Sequence, residues 1–485
     1  MAKRKRVKIR KGSRIGCYRL LDILGSGGNG DVWRVLDGNN NQFAMKILRQ
    51  IDAVSFMRFK AEIHVLSTIK VDGIMSILDS NIPDDIESSV PWFTMEVAKS
   101  FSSYINGKKI LDTVSDFIPL AKTLEHLHDR SITHRDIKPQ NILFYNERLY
   151  FTDFGLVKYP SREDITPSKR DVGAKFTMAP EMRRSADTAD SKKADVYSFA
   201  KTIWISITGE EHGFDGQYST NSVLGLKNYH KGLYLTKLDE LLSDATDNDP
   251  DVRPTIGELI SCLEAWVNLN RDFQKRNVTE WFEIQQILFP MGSPETATWK
   301  SLDAIVSVLN EVSKERSLNH MFYPDGGGMT ITSVSKAKEA GMLALHTSDK
   351  SADLLKPKKL TYESFGLDPS WNYFRLEADL ISATSIYDGV SYEGLFQEFT
   401  EVNPAEYADL RCWDENEFNG VVLPESSRRI SRYIKGSFVF FCTASVYNKL
   451  RGKYDAYNGQ HDSMSESDFR NFIKTGAKEC SEIDA

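Results

Sequence analysis

The sequence predicts an α+β protein built from more than one domain. Three observations carry that expectation. Residues 18–97 break into short apolar runs of strand length, separated by turn residues, with one helical stretch among them. From Leu111 onward the apolar spacing becomes helical. Beyond about residue 320, strand-like runs return. The chain has 485 residues, 41% apolar and 27% charged. At roughly 100–200 residues per domain, that is room for about two to four domains, each able to bury a core. Wholesale disorder is excluded.

Charge and cysteines narrow the classes further. A net charge of -7 argues against a surface that clings everywhere to nucleic acid. Cys17, Cys262, Cys412, Cys442 and Cys480 lie far apart without a Cys-x-x-Cys pair, the pattern of reduced thiols in a cytosolic protein. The longest apolar run, residues 436–447, falls short of the roughly 18 residues that cross a bilayer. No apolar signal segment stands at the N-terminus. The expectation is a soluble, cytoplasmic chain with no membrane partner.

Residues 1–17 are expected as a basic tail. Lys3, Arg4, Lys5, Arg6, Lys8, Arg10, Lys11 and Arg14 repel one another and resist compaction. A solvated tail, a nuclear address and a nucleic-acid or other anionic contact are the readings this charge allows. Strands follow at 18–24, 31–36, 43–48, 74–78 and 92–97, with a helix at 57–69. Between the first two strands lies Gly25-Ser26-Gly27-Gly28-Asn29-Gly30-Asp31-Val32, of the form G-x-G-x-x-G-x-V. A dinucleotide turn would need a helix directly after it. Here Val32, Trp33 and Val35 continue as a strand, leaving either a plain hairpin or a flap whose amides lie over phosphates. Lys46, after Ala44 and Met45, is a lysine in an apolar strand and needs a partner. Glu62 on the next helix is the natural one.

An amphipathic helix is expected at 111–132, with Phe117, Leu120, Leu124 and Leu127 on one side. Then come His134-Arg135-Asp136-Ile137-Lys138-Pro139-Gln140-Asn141, Asp153-Phe154-Gly155 after a short strand, Ala179-Pro180-Glu181, Asp195-Val196-Tyr197-Ser198-Phe199 and Arg253-Pro254. This ordered series resembles eukaryotic-type (Hanks-type) serine/threonine protein kinases over residues 18–267. The resemblance implies a bilobal protein-kinase fold, with a β-rich N-lobe and a helical C-lobe. It implies ATP and Mg²⁺ as cofactors and a protein substrate. Gly25, Gly27, Gly30, Val32 and Ala44 would cover the nucleotide. Lys46, oriented by Glu62, would hold its phosphates. Met95, Glu96 and Ala98 would form the hinge that meets adenine. Asp136 would take the proton of the substrate hydroxyl, and Lys138 would face the transferred phosphate. Asn141 and Asp153 would bind Mg²⁺, as hard oxygen ligands suited to that ion. Lys138, two residues after the aspartate, matches the serine/threonine version.

Further roles follow from the same resemblance. Glu181 should pair with Arg253, and Asp195 should bind the backbone near His134, itself a packed core residue beside Phe154 and Leu66. Two departures stand out. Ala174 replaces a threonine whose hydroxyl bridges the catalytic aspartate and lysine. Gln140 stands where arginine-seeking kinases often carry glutamate, so an arginine-seeking peptide groove is not expected. Arg135 before Asp136 marks kinases switched by activation-segment phosphorylation, with Thr166 and Ser168 as acceptors and Arg58, Arg135 and Lys158 as receiving cations. Self-association would allow autophosphorylation in trans.

Residues 268–320 are expected as a helical linker, with Trp299, Leu302, Ile305, Val308, Leu309 and Val312 in one stripe. Residues 321–485 are expected as a second α+β domain of unknown role, with strands at 329–333, 342–346, 373–381, 420–423 and 438–442 and a short helix at 466–475. His320 and His346 lack metal-ligand spacing. A soluble kinase joined to an unfamiliar domain points to bacterial stress or antiviral signalling, with the second domain sensing or recruiting. The rival reading is a pseudokinase scaffold that binds nucleotide and partners. A small-molecule kinase is a third, and the Ala-Pro-Glu segment argues against it.

Overall fold

The computed structural model describes residues 5–6 and then 9–379, apart from 27–29, 85–88, 160–175, 184–187, 231–232, 316, 323–327, 338–339, 349–350 and 365–371. Beyond 379 it describes separate strand segments and a few residues between 467 and 478. Chain contacts divide the protein into two compact units, residues 1–231 with 235–271, and residues 232–234 with 272–485.

The first unit opens with β1 (Tyr18–Ser26), β2 (Asp31–Leu36) and β3 (Gln42–Ile47), then α1 (Ala53–Thr68), β4 (Asp79–Asn81) and β5 (Trp92–Met95). With Arg14–Ile15 at one edge they form a six-stranded antiparallel sheet in the order 14–15, β1, β2, β3, β5, β4. Alternation along β1 and β2 turns Tyr18, Leu20, Trp33 and Val35 into one core with Met45, Ile47 and Trp92. Asp52 caps α1, its carboxylate accepting from the Ser55 amide at 2.9 Å. The strand expected at 74–78 does not form. Ile74 makes a single bridge to Phe151, and the strand lies further on, at β4.

Helices dominate the rest of this unit: α2 (Ile110–Asp129), α3 (Ser191–Thr208), α4 (Thr236–Ala245) and α5 (Ile256–Arg271). The expected face of α2 is buried, with Phe117, Leu120, Leu124 and Leu127 inaccessible to solvent. The helix stops at Asp129, short of Ile132. Between α2 and α3 a hairpin, β6 (Ile142–Tyr145) and β7 (Arg148–Phe151), brings the His134–Asn141 motif and Asp153-Phe154-Gly155 together at its open end, where the Thr152 amide donates to the Asn141 carbonyl at 3.0 Å. Asp190 caps α3, and Gly209 ends it in the left-handed region (φ 75°).

The second unit contains α6 (Phe273–Leu288), β8 (Thr296–Trp299), α7 (Leu302–Lys314), β9 (Leu343–Ser348), β10 (Ser351–Glu363), β11 (Tyr373–Asp379), β12 (Arg428–Tyr433) and β13 (Gly436–Phe441). Its axis is the 13-residue β10. The first half of β10 pairs with β9 and, in parallel, with β12, and its second half pairs with β8 and β11. Pro357 sits at a register shift, where a missing amide does least harm. Two sequence expectations are corrected here. Trp299 lies in strand β8, not in the helical stripe. The helices expected as a linker share one core with the sheet: Trp281, Ile305, Val308 and Leu309 pack with Leu345, Leu360, Tyr362 and Phe374. The Trp281 and Phe374 rings stack at 5.4 Å. An amphipathic stripe shows which side of a helix is buried, and here the sheet and helix α6 together bury it. The strand expected at 420–423 lies outside the described residues, as do residues 1–4 and 7–8 of the basic tail and parts of the helix expected at 466–475. The rest of the tail is tied to the first unit, Lys5–Arg6 pairing with Gln50–Ile51 and Arg14–Ile15 with Tyr18–Arg19, so backbone pairing outweighs the mutual repulsion of its cations there.

Candidate active site

A cleft of about 820 Å³ in the first unit collects most of the residues singled out from the sequence. Gly25, Gly30, Val32, Ala44 and Lys46 line it from the sheet; Met95, Glu96 and Ala98 from the strand end of β5; Lys138, Asn141 and Asp153 from the loops around the β6–β7 hairpin. Leu24 and Leu143 also line it, which sequence reasoning missed. Leu143 was findable, since it stands two residues after Asn141 in an apolar strand. Gly27 lies outside the described residues. The glycines differ in their reasons. A Cβ on Gly30 would stand 2.4 Å from the Ile47 carbonyl oxygen, so the chain itself demands glycine there. A Cβ on Gly25 would meet nothing within 4 Å.

Lys46 projects from β3 into a nearly solvent-free position. Its ammonium donates to both carboxylate oxygens of Glu62, at 2.6 and 2.8 Å, and to Asp153 at 3.1 Å. Burial by itself would lower its pKa, but the two carboxylates outweigh burial and raise it, so the ammonium stays charged. Burial pushes Glu62 up, to about 7, against the pull of Lys46. Burial also works against the charge on Asp153, yet Lys46 overrides it and holds that carboxyl down at about 2. Of the two acids, Glu62 is the one that titrates near neutrality.

Asp195 shapes the loop below. Its fully buried carboxylate accepts from the amides of His134 (2.8 Å) and Arg135 (2.7 Å). That anchorage holds Arg135 at φ 66°, a strained region for a non-glycine residue. His134 is inaccessible to solvent and packs on Phe154 at 4.6 Å. Asp136 Oδ2 accepts from Lys138 (2.8 Å) and from the Asn141 amide (2.9 Å). Among the described residues its buried Oδ1 has no hydrogen-bond partner. A buried carboxylate oxygen without a donor is costly, so this atom is poised to receive one. The Asn141 Nδ2 also donates to the Asp136 carbonyl at 2.8 Å. Both Nδ2 contacts are to acceptors, which fixes the amide, and among the described residues its Oδ1 oxygen makes no hydrogen bond.

Phe176, Thr177, His212 and Gly213 also line the cleft, with Phe176 packed against His212 and Gly213. Arg253 grips Glu181 with its two terminal guanidinium nitrogens, at 2.7 and 3.0 Å, and its Nε donates to the Asp247 carbonyl at 2.7 Å. Arg253 is 1% exposed, so the pair is buried on the arginine side. Ala174, Thr166 and Ser168 lie outside the described residues.

The family model for the protein kinase domain matches residues 18–276, a little over half of the chain. The chain belongs to the protein kinase family. Among its curated relatives is a Clostridium perfringens protein named a probable serine/threonine-protein kinase, 26% identical over 58% of this kinase and 43% of that protein. The serine/threonine-protein kinase PrkC of Bacillus subtilis is 29% identical over 44% of this kinase and 34% of its own length. The serine/threonine-protein kinase PknB of Mycolicibacterium smegmatis is 26% identical, over 40% and 32%. The kinase thus spans less than half the length of these relatives. Among the described residues no helix is long and apolar enough to cross a membrane.

The residues present suit a nucleotide with its metal ion. Among the described residues no cluster of three or more His, Cys, Asp or Glu could hold a metal ion unaided. Asn141 and Asp153 instead offer two hard oxygens beside a cationic lysine. That donor set fits Mg²⁺, which takes one or two protein oxygens and completes its shell with phosphates and water.

Proposed function

We propose that the protein is a serine/threonine kinase that transfers the γ-phosphate of ATP to protein hydroxyls. One observation carries the reading: a single cleft joins a doubly anchored lysine, Lys46, to Lys138 and Asn141, the two residues that hold the catalytic aspartate. Lys46 binds the nucleotide phosphates, and Glu62 prevents it from swinging away. Asp136 receives the hydroxyl proton on Oδ1, the oxygen left without a donor. Lys138 neutralises charge on the phosphoryl group in flight. Asn141 and Asp153 would hold Mg²⁺, which when bound would draw charge from the phosphate oxygens. Little covalent chemistry is needed, because positioning and charge neutralisation supply most of the rate. Serine/threonine preference rests on Lys138, two residues after Asp136, and on the names of the relatives.

Autophosphorylation, trans self-association, cytoplasmic action and a sensing or recruiting role for the second unit belong to the same proposal. Purified Lys46→Ala and Asp136→Asn should each lose at least about tenfold in transfer, equal to roughly 1.4 kcal/mol in barrier. Asp136→Asn should still bind nucleotide. Transfer at the wild-type rate by either variant would remove the assignment and leave a nucleotide-binding scaffold.

A further inference from the structure

The cleft contains a carboxylate that the phosphoryl chemistry does not use. Glu211 lines the same cavity as Lys138, Phe176 and His212. It is exposed, and among the described residues it makes no hydrogen bond or ion pair. Its acidic neighbours are engaged: Glu210 accepts from the Tyr229 hydroxyl at 3.1 Å, and Asp215 pairs with Arg183 at 3.3 Å.

The loop that carries Glu211 is braced from behind. The buried Lys201 on α3 donates to the Phe214 carbonyl, and its ammonium lies 4.7 and 4.4 Å from the Tyr197 and Phe214 ring centres. The Tyr197 hydroxyl donates to the Gly216 carbonyl at 3.0 Å. In front, His212 stacks on Phe176 at 4.5 Å with the rings 7° apart. Gly213 lets the chain approach so closely that a Cβ there would stand 2.4 Å from the Phe176 carbonyl oxygen. The backbone at Glu211 is therefore set before any substrate arrives, which lowers the cost of using its side chain for recognition.

A negative group would repel a triphosphate, and the phosphate end of the cleft is served by Lys46 and Lys138. Glu211 stands instead on the loop that packs on Phe176, and an anion there suits a cation brought by the substrate. We propose that Glu211 is a specificity-determining residue that selects protein substrates with a lysine or arginine near the acceptor serine or threonine. This rests on the kinase reading above. It also revises the expectation drawn from Gln140: the carboxylate missing at that position is supplied from the loop after α3.

The test is a positional peptide library. Ser/Thr peptides with basic, neutral or acidic residues at each flanking position are phosphorylated by the full-length wild type, Glu211→Gln and Glu211→Lys. The wild type should enrich Lys and Arg at one or two positions. Glu211→Gln should cut the ratio of kcat/KM for a basic over a neutral peptide roughly fivefold, the scale of a partly exposed ion pair. Glu211→Lys should shift enrichment to Asp and Glu at those positions, an inversion that a merely structural role would not produce. Transfer with no basic enrichment, or with the same enrichment in all three proteins, overturns the inference alone. No transfer by the wild type, to peptides or to itself, overturns the kinase reading and this inference with it.

Discussion

Replacing Glu62 by glutamine keeps the shape of the Lys46 anchor and removes its charge. Both side chains are almost fully buried, at 8% and 1% exposure, so water cannot make good the loss. Breaking a buried pair by removing one partner costs about 3–5 kcal/mol. Asp153, 3.1 Å from the ammonium, retains part of the attraction, which puts the loss near the lower end, about 3 kcal/mol. If that loss falls on the transition state, kcat/KM drops roughly 100-fold. The pH profile separates charge from shape. Glu62 must be ionised to hold Lys46, and its carboxyl titrates at about 7. Wild-type kcat/KM should therefore rise with pH through about 7, and Glu62→Gln should lack that limb. Stability runs the other way. The native pKa lies above the ordinary 4.5, so the folded state binds the proton more tightly, and this contribution is lost as pH rises from 4.5 through about 7. Asp153, held at about 2, adds stability that is present above 3.8 and fades as pH falls toward 2. Initial rates from pH 5.5 to 8.5 for both proteins decide the matter. A Glu62→Gln enzyme that keeps the limb, or loses less than about threefold, would refute the reasoning.

Three other expectations can be checked by stability measurements. Arg253→Met should cost the first unit about 3–5 kcal/mol in denaturant unfolding, because it strands the Glu181 carboxylate and the Asp247 carbonyl together; a loss under about 1 kcal/mol would mean the pair carries little. Gly30→Ala should lower the melting temperature, since its Cβ meets the Ile47 carbonyl oxygen, whereas Gly25→Ala should melt close to wild type. Equal melting of the two variants contradicts the distinction. A fragment of residues 272–485 should melt cooperatively, and one of 321–485 should not, because the shorter piece lacks Trp281, Ile305 and Leu309 from the shared core. A cooperative melt of the shorter fragment restores the linker reading.

The proposed site was legible in the sequence because it is written in contiguous pieces. Asp136, Lys138 and Asn141 act together through one short loop, so their spacing along the chain is their spacing in the site. Val32, Trp33 and Val35 exposed the glycine turn as part of a hairpin, since alternation is a property of a single strand. Contacts that join distant segments, such as Glu181 with Arg253 and Asp195 with the His134 and Arg135 amides, were legible only through resemblance to other kinases. Nothing local in those residues names a partner. What the tertiary structure alone decided lies where the energy comes from neighbours instead of the chain's own pattern. Strand β10 reads Ser-Ala-Asp-Leu-Leu-Lys-Pro-Lys-Lys-Leu-Thr-Tyr-Glu, with a proline and three lysines. It is a strand because four others pair with it. Trp299 has helical spacing to Leu302 and Ile305, yet it lies in β8, paired with Leu360 of β10. Glu211 is one surface glutamate among many in the sequence. Only the brace under its loop and the cleft in front of it set it apart, because recognition depends on what shares a space, and the order of residues does not contain that.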